Sequence, residues 1–168
     1  MTDENKIELF LRESNAIEGV FDEESYQHAL SAWEYLMTND EITNDVIQLT
    51  HQILMRPHII DPNELGHYRK CDVMVGTEIL TSWIKVPPMI GMWINSMNFK
   101  PKKYTDLDEI SKRIHVKFEK IHPFIDGNGR VGRMFMNWWR LRNGLDIMVI
   151  KRNERWSYYE WFKTDEDL

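Results

Sequence analysis

The chain has 168 residues, 42% of them hydrophobic and 29% charged, which fits one soluble domain large enough to bury a substantial core. Its net charge of −6 disfavours the many Lys and Arg contacts that non-specific nucleic-acid binding requires. No apolar run reaches the length of a membrane span, and the start Met1-Thr-Asp-Glu lacks the basic-then-apolar form of a secretion signal. A lone cysteine, Cys71, permits no internal disulfide, suits a reducing cytoplasmic setting, and is expected as a small core or strand residue.

In chain order, Ile7, Phe10, Leu11, Ser14 and Ile17 fall on one helical stripe that Gly19 should stop. Tyr26, Ala29, Leu30, Trp33 and Met37 predict a second helix. Thr43 is placed to cap a third, with Val46, Leu49, Ile53 and Leu54 inward and Pro57 beyond its end. The rhythm breaks over 71–86, where Asp72-Val-Met-Val-Gly76 and Ser82-Trp-Ile-Lys-Val86 predict two short strands around a turn. A helix follows Pro87-Pro88, through Met92 and Met97. Thr105 and Asp108 form a capping-box pattern, opening a helix through Ile110, Ile114, Phe118 and Ile121. It should stop at His122-Pro123, because a residue before proline is driven out of the helical region. The spacing predicts a further helix over 129–143, ended by Gly144, and a last one capped by Asn153 through Trp156 and Tyr159. The adjacent Trp138 and Trp139 suggest one ring outside the core, at an interface. With no repeat, low-complexity stretch or linker, the expectation is one mainly helical domain over 1–168 carrying a β-hairpin.

Residues 122–133 read His-Pro-Phe-Ile-Asp-Gly-Asn-Gly-Arg-Val-Gly-Arg. An imidazole, a carboxylate, a Gly-Asn-Gly turn and two arginines within twelve residues can hold a metal-bound polyphosphate and deprotonate a nucleophile beside it. Glycines allow backbone N–H groups to approach a phosphate closely, and a helix start adds a positive dipole end. Taken singly, the parts have ordinary explanations: a turn, a helix end, a solvated face holding Arg130 and Arg133. Charge is also uneven. Residues 1–50 carry two basic side chains against twelve acidic ones, whereas 130–155 carry seven against two. That basic stretch suits an anionic ligand, though a solvated basic helix face would look the same.

The twelve residues resemble the Fic family signature, H-P-F-x-(D/E)-G-N-G-R-x-x-R, at every fixed position. Gly66-His-Tyr-Arg69, Val73-Met-Val-Gly76 and Val86-Pro-Pro88 are similar to the segment that builds that family's target-docking flap, and Arg155-Trp-Ser-Tyr-Tyr159 to an arginine and tyrosine pair after the motif. The resemblance implies a helical bundle with a β-hairpin flap at 71–86 near the active-site loop. It implies transfer of AMP from ATP to a Tyr, Thr or Ser hydroxyl of a target protein, self-modification included, with release of pyrophosphate. His122 would be the general base. Asp126 would hold Mg²⁺, which uses one or two carboxylates plus substrate phosphates. Gly127, Asn128 and Gly129 would form the anion hole, with Arg130 and Arg133 on the phosphates. Phe124 would pack inward and fix the loop. Tyr158 and Tyr159 are candidates for the adenine pocket, or for the core. Val73, Met74 and Val75 would dock the target. Gly129 matches the nucleotidyl-transferring pattern rather than a phosphotransferase branch that replaces this glycine, usually with lysine. Relative to the family the chain runs only a little beyond Tyr159, leaving the far wall of the adenine pocket open.

Ser14-Asn-Ala-Ile-Glu18-Gly19 resembles the family's inhibitory motif, (S/T)-x-x-x-E-(G/N), over an N-terminal helix at 1–19. The resemblance implies that Glu18 pairs with Arg133 and blocks productive placement of the ATP γ-phosphate. Ser14 and Glu18 would share one helix face. Two alternatives remain: removal of AMP from a modified target with the help of Glu18, and a non-catalytic module that senses a nucleotide or binds a partner.

Overall fold

A computed structural model of the chain describes residues 3–76, 78–102 and 106–163. Seven α-helices follow in order among them: α1 Asp3–Ile17, α2 Glu23–Met37, α3 Asn44–Met55, α4 Val86–Asn98, α5 Leu107–Ile121, α6 Asn128–Arg142 and the short α7 Arg155–Tyr159. Local chemistry places their ends. Asp22 caps α2 by accepting from Ser25 N–H, and Thr43 caps α3 by accepting from Val46 N–H. Pro87 and Pro88 lie in the first turn of α4, where their missing N–H groups cost nothing. Gly19 turns the chain just past α1 with φ 77°. The expected cap Thr105 lies outside the described residues, and Asp106 caps α5 by accepting from Glu109 N–H.

α6 runs through the middle of the bundle. Every residue from Asn128 to Arg140 except Gly129 is buried, against α1, α2, α3 and α5. Met134, Phe135, Trp138 and Trp139 join Phe10, Trp33, Leu54, Trp93 and Phe118 in one core. A helix so enclosed must satisfy its polar side chains internally. Arg140 donates to Asp108, Ser111 and the Asp146 carbonyl, and Asn137 exchanges hydrogen bonds with the Met148 backbone. Both Trp138 and Trp139 are buried, so neither ring is left for an interface.

Several local expectations fail. Among the described residues of 71–86, only Met74–Val75 (β1) and Glu78–Ile79 (β2) pair, antiparallel, with Met74 opposite Ile79. The predicted strand 82–86 is absent: Trp83–Lys85 forms a 3₁₀ turn that runs into α4, so the hairpin expected over 71–86 is not formed at that extent. Lys85 N–H donates to the Ser82 carbonyl at 2.8 Å and closes this turn, and Val86 then takes helical φ although it precedes Pro87. Cys71 is exposed rather than a core or strand residue, and Leu49 faces outward on α3. Asn153 sits inside a 3₁₀ turn, Arg152–Glu154, and caps nothing; α7 is one turn long with Trp156 exposed.

Candidate active site

A cavity of about 450 Å³ opens where α5, α6 and α7 converge, walled by His122, Asp126, Gly129, Arg130, Glu18 and Tyr159, among others. The loop from His122 to Gly127 carries its chemistry. His122 ends α5 in the left-handed region at φ 50°, the single non-glycine residue with positive φ among the described residues. Such a conformation is strained for a side chain and persists where surroundings impose it. Here His122 N–H donates to the Phe118 carbonyl at 2.9 Å, and buried Arg69 donates from Nε to the His122 carbonyl at 2.7 Å. Arg69 also donates to the Cys71, Thr81 and Ile121 carbonyls, tying the segment around β1 and β2 to the His-Pro corner. Burial, assisted by Arg69, pushes the His122 imidazole below its ordinary value, against raising by a hydrogen bond to the Glu119 backbone and by Asp126. His122 is therefore neutral at pH 7, as a proton acceptor must be.

The rest of the loop is braced from behind. Phe124 is fully buried, as expected, and stacks on His51 with ring centroids 3.7 Å apart. His51 Nδ1 accepts from Gly66 N–H, which leaves Nε2 protonated to donate to the Asp126 carbonyl at 3.0 Å. Burial pushes His51 down to about 4, so it remains a neutral brace. The Asn128 side chain accepts from Phe124 N–H and donates to the Phe124 carbonyl, both at 2.9 Å. Its amide is thus spent on the loop, and only its backbone can serve an anion. Gly127 bends the chain into α6 with φ 80°, and no side chain caps this helix start. The first-turn N–H groups at 128–130 have no partner in the helix itself, and two of those residues line the cavity beside Arg130.

Arg130 is buried, yet its Nε and Nη1 have no hydrogen-bond partner among the described residues. Burial lowers its pKa, with Asp126 and Glu18 opposing. A buried guanidinium with idle donors beside an open helix start is built for an anion. Asp126 is exposed at the cavity wall, and its Oδ1 accepts from Gly127 N–H at 2.6 Å. Among the described residues no three His, Cys, Asp or Glu side chains converge as a complete cage. One exposed carboxylate on a cavity wall fits the way Mg²⁺ is held where water and phosphate oxygens fill most of its positions.

Arg133 is fully buried and lies behind the wall. It donates from Nε to Ser14 Oγ at 2.9 Å, from Nη2 to the Ser14 carbonyl at 2.9 Å, from Nη2 to Glu18 Oε1 at 2.7 Å and from Nη1 to the Tyr158 hydroxyl at 3.1 Å. Burial opposes its charge, and Tyr158 and Glu18 outweigh burial to raise its pKa. Glu18, one residue past α1, occupies the cavity face of this arginine. It also crowds the helix start: a Cβ at Gly129 would lie 2.5 Å from Glu18 Oε1. Gly19 shapes the turn and stays out of the cavity wall. The Tyr158 hydroxyl makes its second contact with His115 Nε2 at 2.8 Å, so the polar end of this cavity-lining residue is taken up by Arg133 and His115. Tyr159 is half-buried in the wall. Met74 is exposed, and Val73 accepts from Leu80 N–H at 3.2 Å through its carbonyl. His51, His115 and Glu119 are residues that motif reasoning missed. Their only sequence signal is polarity on the inward face of α3 or α5.

Comparison with known proteins agrees with this geometry. A profile described as Fic/DOC family matches residues 41–139, a span that contains the 122–133 motif. Protein adenylyltransferase Fic of Aedes aegypti is 32% identical over 140 residues, covering 75% of this chain and 25% of the relative. Its counterpart in Drosophila grimshawi is 34% identical over 137 residues, covering 73% and 25%. The chain thus spans about a quarter of the length of these curated relatives. The structure of Fic-1 from C. elegans superposes with a TM-score of 0.79 over 95% of this chain and 55% of that one, at 22% identity, which speaks for the fold. Motif, loop geometry, profile and relatives converge: the chain belongs to the Fic/DOC family.

Proposed function

We propose that the chain is a self-inhibited protein adenylyltransferase, moving AMP from ATP to a Tyr, Thr or Ser hydroxyl of a protein and releasing pyrophosphate. The observation that carries this reading is the idle Arg130 guanidinium beside the uncapped start of α6, in the same cavity as neutral His122 and exposed Asp126. The name these relatives carry, protein adenylyltransferase Fic, supports the same chemistry. ATP would lay its phosphates against the N–H groups at 128–130 and Arg130. Asp126 would hold Mg²⁺, which neutralises phosphate charge and orients the leaving group. The acceptor hydroxyl oxygen attacks the α-phosphorus, the bond to the bridging oxygen of pyrophosphate breaks, and His122 takes the hydroxyl proton. Tyr159 would flank the base. The strand pair β1–β2, with Val73, Met74 and Val75, would present the target by backbone pairing.

Self-inhibition rests on Glu18. Its carboxylate holds Arg133 at 2.7 Å and narrows the helix start where the terminal phosphate would lie. Glu18→Gly should raise AMP incorporation, self-modification included. Because 37% of the Glu18 side chain is exposed, the released pair contributes about 1 kcal/mol, or roughly 5-fold in rate. Arg133→Ala should give no such gain, since the same arginine then serves phosphate. Flat incorporation in a folded Glu18→Gly protein with a competent acceptor rejects self-inhibition. The reverse reaction, release of AMP from a modified target, has one observation in its favour: Glu18 lies in the wall of the same cavity, where a carboxylate can activate a water for hydrolysis. Free AMP produced from a modified target by the wild type, and lost in Glu18→Gly, would support it.

A further inference from the structure

Glu119 stands on the last turn of α5, three residues before His122, and the chemistry above leaves it without a task. Its side chain is 17% exposed and lines the cavity, with Oε2 4.0 Å from His122 Nδ1. Oε1 is buried without a hydrogen-bond partner. Gly132 on α6 provides the room, since a Cβ there would lie 3.1 Å from Oε1 and 2.7 Å from His115 Nδ1. A buried carboxyl with an orphaned oxygen costs stability, so packing alone gives no reason for it at this place.

We propose that Glu119 is a positioning residue for His122: its carboxyl orients the imidazole and steadies the positive charge formed as His122 takes the acceptor proton. The proposal rests on His122 being the base. A carboxyl behind a catalytic imidazole favours one ring orientation and the protonated ring, without itself touching substrate. The 4.0 Å separation is longer than a hydrogen bond, as is common in ligand-free sites that tighten on binding. The groups facing Glu119 are Arg133 from α6, Glu18 from the turn after α1, Tyr158 from α7, and His115 and His122 on its own side. Burial first, and Glu18 second, push its carboxyl up to about 8, with Arg133 opposing. At neutral pH the group is therefore protonated and acts on the ring by orientation alone; it steadies the positive charge only where it ionises. It acquires charge as pH rises, and removing Glu18 lowers the pH at which it does so.

The test uses the full chain in the Glu18→Gly background, measuring AMP incorporation over roughly pH 6 to 9. Glu18→Gly/Glu119→Gln should lose about 10- to 100-fold in kcat with little change in KM for ATP, the usual weight of an orienting partner. It should also lose the alkaline rise of the rate profile, and Glu119→Asp should restore part of both. A second readout needs no turnover. In ligand-free wild type, the His122 imidazole NMR signals, assigned with His122→Ala, should show a step near pH 8 that Glu119→Gln abolishes. Equal rates and profiles in the Gln variant, or no such step, overturn the role of Glu119 and leave His122 as the base. Transfer that survives in Glu18→Gly/His122→Ala removes the base, and the task of Glu119 with it.

Discussion

His122 and Asp126 are four residues apart on one loop, yet they sit in different environments that suit them to different tasks in the proposed transfer. Burial keeps the imidazole neutral, while Asp126 is exposed and keeps its carboxylate available to a cation. His122→Ala should therefore lower AMP transfer by about 10²- to 10⁴-fold, the share of a general base, with ATP affinity nearly unchanged. Alanine meets the same left-handed backbone held by Arg69, so the fold should persist. Asp126→Ala should do the reverse, removing the Mg²⁺-dependent part of ATP binding. Calorimetric titration of ATP with and without Mg²⁺ separates the two. An Asp126→Ala protein that still responds to Mg²⁺ would take the metal from this carboxylate.

Among the elements, β1 and β2 are the least secured, two residues each with exposed Met74 at one end. What secures them is Arg69, whose guanidinium reaches the carbonyls at 71, 81 and 122. The strand pair and the base are thus held by one side chain, which would keep a target strand in register with His122. Val75→Pro removes a backbone donor from this short pair and should depress target modification more than ATP binding. Comparing both quantities in one preparation decides it, because equal losses would indicate general damage to the fold.

For the molecule as a whole, the buried titratable groups predict how stability follows pH. Burial pushes His115 down to about 3 and His51 to about 4, from an ordinary 6.5. Both bind a proton more readily when unfolded. Stability from this source is full above about 6.5 and falls as pH drops through the unfolded value toward the folded ones. Glu119 acts in the opposite sense: its raised carboxyl lets the unfolded chain ionise first, so stability falls as pH rises from 4.5 to about 8. Thermal melts from pH 4 to 8 should show His51→Asn flattening the acid side and Glu119→Gln flattening the alkaline side. Unchanged acid sensitivity in the first variant would mean that other groups govern the low-pH loss.

Local pattern was enough to place six of the helices, because apolar spacing, the Thr43 cap and proline act within a few residues of their effect, whereas the last helix is shorter than expected and starts without Asn153 as its cap. It was also enough to single out the 122–133 motif, whose imidazole, carboxylate, glycines and arginines lie within twelve residues. Only the tertiary structure turned Ser82–Val86 into a helix entry, committed the Asn128 side chain to Phe124, and faced the Tyr158 hydroxyl toward Arg133. It alone brought His51, Arg69 and Glu119 to the loop from positions 75, 53 and three residues away from their contacts with Asp126 and His122. A helical period marks Glu119 as facing inward but cannot say that Gly132 leaves it space or that His122 lies beside it. Burial, and the proton affinities it sets, are properties of packed neighbours, and neighbours far apart along the chain are determined only once α1, α5, α6 and α7 have closed on one another.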